Sequence, residues 1–188
     1  MNVQGAIEKR RAYRSLDPVE INKDLIEDLA HAAQIAPSCF NKQPWNFIFI
    51  YEKQQLERLF KTLTKTNKWI EKASMMIAVF SKSEDDCLIN ERKYYLFDTG
   101  LATAFIILKA TELGLVAHPI AGYDEREAKK ILGIPENMQL ITFVNIGKHS
   151  DTINPELSEN MKLGEKQRPP RKELSEFCYI NDYGNELD

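Results

Sequence analysis

The chain of 188 residues has few glycines, eight in all, and they form neither a GxGxxG nor a GxxxxGK[ST] pattern. A nucleotide site built on a glycine-rich loop is therefore not expected. Cysteine is scarce too, because Cys39, Cys87 and Cys178 stand far apart and no CxxC pair occurs. This spacing predicts neither a disulfide framework nor a zinc knuckle, and it is typical of proteins of the reducing cytoplasm.

Long apolar runs and an excess of basic charge are also missing. No run reaches the roughly 18 apolar residues of a membrane span, and the N-terminal sequence MNVQGAIEKR has no apolar core of a signal peptide. The 25 basic and 28 acidic residues give a net charge of −3. Because nucleic-acid-binding proteins usually carry a basic excess, we expect neither membrane insertion nor general nucleic-acid binding.

The usual signatures of catalytic and metal sites are missing as well. His31, His118 and His149 have no metal-ligand spacing such as HExxH, and no GxSxG sequence occurs. Cys39 lies in a polar loop, but no neighbouring residue in the sequence marks its thiol as activated. We therefore expect neither a metal site nor a catalytic thiol.

Apolar periodicity predicts a single domain over residues 1–188, of the α+β or mixed α/β class with three layers. Asn22 is a predicted N-cap and Gly133 a predicted helix end. The pattern predicts helices over residues 6–13, 23–36, 54–63, 86–113 and 125–132, and strands over 45–51, 75–80 and 140–146, with a short apolar segment at 115–120. Residues 147–170 are expected to be irregular, and 171–180 to end in a strand-like stretch.

The helix predicted over residues 86–113 is apolar nearly all round between residues 101 and 108. A helix that is apolar on every side is usually buried on every side. It therefore lies either at the centre of this domain or against a second copy of the chain.

Basic residues cluster near the N-terminus in the sequence KRRAYR at 9–14. On the predicted helix, Arg10 and Arg14 share one face with Arg11 beside them, and arginine forks bind phosphate oxygens bidentately. The cluster predicts a monophosphate clamp. A solvated, charged helix end is the alternative, and on this cluster alone it is the more common meaning.

The loop at residues 37–46 carries two carboxamides, Asn41 and Gln43, held between two prolines. A carboxamide presents a donor and an acceptor together, which suits the edge of a flat heterocycle. An ordinary proline and asparagine turn is the alternative.

Taken in order, these segments resemble the FMN-dependent nitroreductase family. The resemblance rests on EKRRAYR at 8–14, APSCFNKQPW at 36–45, the alanine-rich helix after Asp98, HPIAGY at 118–123 and RPPRKEL at 168–174. It implies an α+β domain with three α/β/α layers around a central mixed, mainly antiparallel sheet. It also implies an intertwined homodimer with FMN at the interface, in which residues 147–188 extend toward the partner.

The resemblance further implies which residues contact FMN. Basic residues at both chain ends would hold the phosphate and ribityl chain, with Arg168 as a rival of Arg171. Family members often have serine at the position of Ala12, and some have an acidic residue at that of Ala121. The full set is Arg10, Arg11, Ala12, Arg14, Pro37, Ser38, Cys39, Asn41, Gln43, Asn67, Pro119, Ile120, Ala121, Gly122, Arg171 and Lys172.

The implied reaction is a ping-pong cycle in which NADH or NADPH passes a hydride to N5 of FMN and a small-molecule acceptor, such as a nitroaromatic or a quinone, then takes it. Since the flavin carries the chemistry, no acid–base dyad is needed. Two alternatives stay open. One is an FMN-binding redox sensor or flavin store without turnover. The other is a specialised member, such as a flavin-cleaving enzyme or a reductive dehalogenase, with residues 149–167 as a lid.

Overall fold

The structure is a computed structural model that describes residues 1–187. Its main sheet has five strands in the order β1–β7–β3–β2, with β6 also paired to β7. A separate hairpin joins β4 to β5, and the pairings in both sheets are antiparallel. The strands are β1 (Leu16–Asp17), β2 (Asn46–Ile50), β3 (Met75–Ser81), β4 (Leu88–Ile89), β5 (Arg92–Lys93), β6 (Val116–Ile120) and β7 (Gln139–His149).

Six α-helices and four 3-10 helices surround the sheet in the described part of the chain. The α-helices are α1 (Val3–Lys9), α2 (Lys23–Gln34), α3 (Lys53–Phe60), α4 (Tyr94–Glu112), α5 (Glu125–Leu132) and α6 (Glu159–Lys166). The 3-10 helices are Cys39–Asn41, Lys65–Lys72, Ser83–Asp85 and Leu174–Glu176.

The strand β3 is buried along its whole length because both of its faces are covered. Met76, Ala78 and Phe80 join a core with α3, α5 and the 3-10 helix Lys65–Lys72. The alternate residues Met75 and Ile77 join a second core with α2 and α4. A strand with period two that feeds two cores makes three layers, so the predicted α+β class with a mainly antiparallel sheet is confirmed.

Two predicted helix boundaries are confirmed by their capping geometry. The side chain of Asn22 accepts a hydrogen bond from the amide of Leu25 at 2.9 Å and begins α2. Gly133 ends α5 in the left-handed conformation, with φ of 68°.

The helix predicted over residues 6–13 is wrong in its second half, since α1 spans Val3–Lys9 and ends before the arginines. Arg10 has ψ of 121°, so the chain leaves the helix there. Residues 10–14, called the arginine segment below, contain no helix. Arg10 and Arg14 therefore do not share a helix face. Contacts with residues distant in sequence fix the conformation of this segment instead.

The long helix predicted over residues 86–113 is also wrong at its start, since α4 begins at Tyr94. Residues 88–93 form the β4–β5 hairpin instead. Asn90 and Glu91 at its tip have φ of 50° and 64°. Two consecutive left-handed residues make the tight turn that a two-residue hairpin requires. Apolar periodicity does not report such a turn.

The stretch of α4 over residues 101–108 is not buried on every side within one chain, because Ala104 is exposed. A second copy of the chain stays a prediction. Residues 147–170 are more regular than expected, since β7 continues to His149 and α6 follows. The tail has a 3-10 helix and an isolated bridge between Tyr179 and Glu186 in place of the predicted strand. No helix of residues 1–187 is long and apolar enough to cross a bilayer.

Candidate cofactor site

The arginine segment lies beside β6 and is fixed by backbone contacts to two other elements. His118 on β6 donates from Nδ1 to the carbonyl of Tyr13 at 3.0 Å. The carboxylate of Glu165 on α6 accepts from the amides of Arg14 and Ser15 at 2.9 and 3.0 Å. Glu165 is buried, with 6% exposed, so these charge-assisted bonds lie away from bulk water. These hydrogen bonds fix the backbone conformation of the arginine segment.

Aromatic rings also pack against the arginine segment. The Trp69 ring lies against His118 with centroids 4.6 Å apart, and the Arg14 guanidinium carbon is 6.0 Å from the Trp69 centroid. Tyr13 stacks on His149 with centroids 3.7 Å apart. The indole nitrogen of Trp69 is buried and has no hydrogen-bond partner within residues 1–187.

The structure brings Arg10 together with basic residues from the far end of the chain. Arg168 donates to the carbonyls of Glu8 and Arg10, the latter at 2.9 Å. The pKa of the Arg10 guanidinium is lowered, first by burial and then by the charges of Arg168 and Arg171. Both Arg168 and Arg171 therefore belong to one cationic cluster with Arg10.

No carboxylate among residues 1–187 lies within ion-pair distance of Arg10, Arg14, Arg168 or Arg171. The carboxylate of Glu165 lies nearby but is bonded to the amides of Arg14 and Ser15. The guanidinium groups therefore repel one another, and an anion bound between them would be stabilised.

Arg11 serves the fold in this structure. It donates to the carbonyl of Gly164 at 2.6 Å, and its guanidinium carbon lies 4.5 Å above the Tyr13 ring. Half-buried Ala12 follows it in the segment. Lys172 is exposed, and within residues 1–187 its side chain makes no hydrogen bond or ion pair.

His118 is held neutral beside these arginines. Burial is the largest cause that lowers its pKa, to about 4, and the positive charges of Arg14 and Arg10 add to it. The carbonyl of Tyr13 and the carboxylate of Glu165 oppose the shift. Since Nδ1 donates to a carbonyl, the neutral ring has its second nitrogen unprotonated.

The end of β6 forms a second group of contacts around Gly122. Its carbonyl accepts from the Thr64 amide at 3.1 Å and from Asn67 Nδ2 at 3.0 Å. A Cβ on Gly122 would lie 2.6 Å from Asn67 Nδ2 and 2.6 Å from Thr64 Oγ1, so only glycine fits without displacement. Ile120 is buried here, whereas Pro119 and Ala121 are exposed.

Residues 38–43 form a tight loop held by its own contacts. Ser38 Oγ accepts from the amide of Gln43 at 2.9 Å, and Gln43 Nε2 donates to the carbonyl of Asn41 at 3.2 Å. Asn41 and Gln43 have φ of 55° and 49° and are exposed, while Pro37 precedes the loop at the surface. In the part of the chain that the structure describes, no hydrogen bond links this loop to the arginines or to the end of β6.

Two of the three cysteines are paired, contrary to the expectation that none is. Cys39 in this loop forms a disulfide with Cys87, and Cys178 is free. The pairing was hidden because residues 86–93 were expected to be helical, whereas the β4–β5 hairpin brings Cys87 to the loop.

Several side chains at this site were missed by sequence reasoning. Thr64 and Glu165 stand in no recognisable motif, and the spacing of His118 suits no metal. The only sequence signal for His118 at this site is that it lies close to Pro119 and Gly122 in the chain.

Solved structures with a similar fold define the fold class of this protein. The fold matches an oxidoreductase described as containing FMN, with a TM-score of 0.84, 23% identity and coverage of 99% of this chain and 95% of that one. It also matches a nitroreductase family protein of Clostridium difficile 630, with a TM-score of 0.78, 25% identity and coverage of 97% and 99%. The protein therefore has the α+β fold of the nitroreductases.

Similarity in sequence identifies the family to which the chain belongs. The family model described as the nitroreductase family matches residues 7–73 and 52–148, so the chain belongs to that family. It is 30% identical over 148 residues to a protein of Archaeoglobus fulgidus that is named, provisionally, as an NADH dehydrogenase/NAD(P)H nitroreductase, with 76% of this chain and 82% of that one covered. It is also 25% identical over 169 residues to an iodotyrosine deiodinase of Haliscomenobacter hydrossis, with coverage of 75% and 76%.

Proposed function

We propose that this protein is an FMN-dependent oxidoreductase that uses NADH or NADPH to reduce a small-molecule acceptor such as a nitroaromatic or a quinone. The observation that carries the proposal is the cationic cluster of Arg10, Arg168 and Arg171, which has Arg14 nearby across His118 and forms no ion pair within residues 1–187. Membership of the nitroreductase family supports the choice of flavin as the ligand of that cluster.

The residues present fit a phosphate monoester. Guanidinium groups donate two parallel hydrogen bonds to phosphate oxygens, and the cluster supplies several such groups with no ion pair to a carboxylate among residues 1–187. In this assignment Arg168 and Arg171 both belong to the phosphate site, while Arg11 shapes its wall and Lys172 stays outside it.

The flavin ring would lie toward Gly122. His118 and Gly122 are four residues apart, so at most roughly 14 Å of chain separates the two groups of contacts. Ala121 is exposed and Gly122 half-buried at that space, and Asn67 holds this backbone in place through the Gly122 carbonyl. FMN would supply the hydride transfer when bound, and these residues would orient its ring.

No hydrogen bond within residues 1–187 links the loop at residues 38–43 to either group, although the loop contains the carboxamides predicted to border the flavin. We therefore assign it to the site of a second copy, in a homodimer with FMN at the interface. Exposed Leu96 and Phe97 on α4 and the extended tail offer apolar surface for that contact. Sedimentation of the FMN-bound protein as a dimer is the expected result, and a monomer that retains FMN would contradict this assignment.

A dedicated dehalogenation is the second candidate, because the chain is similar to an iodotyrosine deiodinase. The predicted lid at residues 149–167 does not support it. Its helix α6 places Glu165 on the arginine segment, and Leu157, just before that helix, lies in the core, so the stretch forms a packed wall. A halogenated phenol offered as acceptor distinguishes the two candidates, since the proposed function expects faster reoxidation by a quinone or nitroaromatic.

The test is anaerobic mixing of the flavin-loaded protein with NADH or NADPH, followed by an acceptor. We expect rapid bleaching of the visible flavin absorbance and its return when the quinone is added. A protein that binds FMN but is not bleached by either nucleotide would instead be a redox sensor or flavin store. A protein that binds no FMN would overturn the proposal.

A further inference from the structure

The disulfide between Cys39 and Cys87 lies in a cluster with buried carboxylates. One oxygen of Asp86 and the two sulfurs all lie within 4.8 Å of one another. Asp98 from α4 reaches the same place, and its Oδ2 accepts from the amide of Cys39 at 2.7 Å. The 3-10 helix Ser83–Asp85, the 38–43 loop and α4 therefore meet around this cluster.

The two carboxylates are buried without a compensating cation. Asp86 is 9% exposed and Asp98 is 2% exposed, and neither forms an ion pair within residues 1–187. Oδ1 of Asp86 accepts from the amide of Cys87, but its Oδ2 is buried and has no hydrogen-bond partner in the described chain. Buried carboxylates are usually paired with a cation or bound to a metal.

Both carboxylates lie against Cys39. An oxygen of Asp86 is within 4.8 Å of its sulfur, and Asp98 accepts a hydrogen bond from its amide. Two like charges held this close to one another repel. A divalent cation at this place would lower the repulsion between the carboxylates and give the orphaned oxygen a partner.

We propose that Cys39, Cys87 and Asp86 form a binding site for a thiophilic divalent cation, Zn²⁺ being the best fit, when the disulfide is reduced. Two thiolates and one carboxylate are ligands that zinc accepts, and water or Asp98 completes a tetrahedron. At Zn–S bonds of about 2.3 Å, the two sulfurs of such a site stand roughly 3.8 Å apart. The Cα atoms of the cysteines are 6.1 Å apart, so side-chain rotation alone achieves this separation.

The site is controlled by oxidation state. Cleavage of the S–S bond takes up two electrons and two protons, which a phosphine and water supply in vitro while the phosphine becomes its oxide. Zn²⁺ then displaces the two thiol protons to solvent as both sulfurs bind as thiolates. The oxidised protein offers no thiolate and cannot form the site. This inference does not depend on the proposed oxidoreductase activity.

The test measures zinc bound to the untagged, flavin-loaded protein after gel filtration, with and without prior reduction by a phosphine. We expect one zinc per chain in the reduced protein and none in the oxidised protein. Cys39→Ser and Cys87→Ser should abolish binding, and Asp86→Asn should weaken it about tenfold or more. The matched controls Cys178→Ser and Asp85→Asn, whose residues lie outside the cluster, should bind as the unmodified protein does.

Thiol counting on the unmodified chain tests the same site without any variant. In the reduced protein, zinc should protect two of the three thiols from a thiol reagent and leave Cys178 reactive. The proposal is overturned if reduced protein retains no more zinc than Cys87→Ser protein, or if added zinc protects no thiol. In that case the pair serves as a disulfide only.

Discussion

Protonation of His118 should destabilise the fold, and the structure sets the size of the effect. The ring is buried between Trp69 and the arginine segment, and its Nδ1 already donates to the carbonyl of Tyr13. A proton added to the second nitrogen has no acceptor on that side and faces the charges of Arg14 and Arg10. Folding therefore lowers the His118 pKa from 6.5 to about 4.

The sign and size of the effect follow from proton linkage. The unfolded chain binds a proton on His118 below pH 6.5, whereas the folded chain does so only near pH 4. The free energy of unfolding is unaffected by this group above pH 6.5 and falls as the pH drops toward 4. The shift corresponds to a loss of about 3 kcal/mol, which is a large part of the stability of a typical domain.

Urea unfolding between pH 4 and 7.5 measures this loss, with equal FMN in every sample. Replacement of His118 by glutamine removes the titrating group and keeps a side-chain donor for the Tyr13 carbonyl. The unmodified protein should lose about 3 kcal/mol more than His118→Gln over this range. His31→Gln, on the exposed face of α2, controls for histidine replacement in general. Equal pH slopes for His118→Gln and the unmodified protein would refute the account of this histidine.

Two further predictions concern the walls of the site. Gly122→Ala should lower the free energy of unfolding by about 1 to 3 kcal/mol and weaken FMN binding, because the new Cβ displaces Asn67 and Thr64. Thermal unfolding and flavin titration measure the two effects. Gly100→Ala is the control, because a Cβ at Gly100 has no neighbour within 4 Å. Equal FMN affinity in the two alanine variants would contradict it. Glu165→Ala leaves the half-buried amide of Arg14 and the buried amide of Ser15 without acceptors, so we expect a loss of about 2 to 4 kcal/mol in urea unfolding. A loss below about 0.5 kcal/mol would show that the segment is held by other contacts.

Local chemistry made part of the fold predictable. Asn22 and Gly133 mark helix ends through their own backbone bonds, and the continuous apolar run of β3 allows no other placement than burial on both faces. These features depend on residues close in sequence. The three-layer α+β architecture follows from them together with the resemblance.

What was mispredicted depends on contacts distant in sequence. The arginine segment is extended because His118 and Glu165, more than 100 residues away, bind its backbone. The start of α4 was placed too early because the turn at Asn90 and Glu91 gives no apolar signal. That same error concealed the approach of Cys87 to Cys39.

The residues of the candidate site also differ in whether a local sequence pattern could identify them. Arg10, Arg14 and Gly122 could be named from motifs, and the structure gives each a place that suits the proposed role. Glu165 could not be named, because a side chain that supports a site from a distant helix carries no local pattern. Arg168 and Arg171 could not be separated by sequence, and the structure places both beside Arg10.

The central claim is that the cationic cluster binds the phosphate of FMN, and the most direct measurement compares FMN with riboflavin, which lacks that phosphate. Fluorescence titration should show FMN binding at least about 100-fold more tightly, since charge-assisted bonds to phosphate contribute roughly 1.5 to 3 kcal/mol each. Arg10→Ala and Arg171→Ala should each remove most of this preference and leave riboflavin affinity nearly unchanged. Equal affinities of the unmodified protein for FMN and riboflavin would contradict the account.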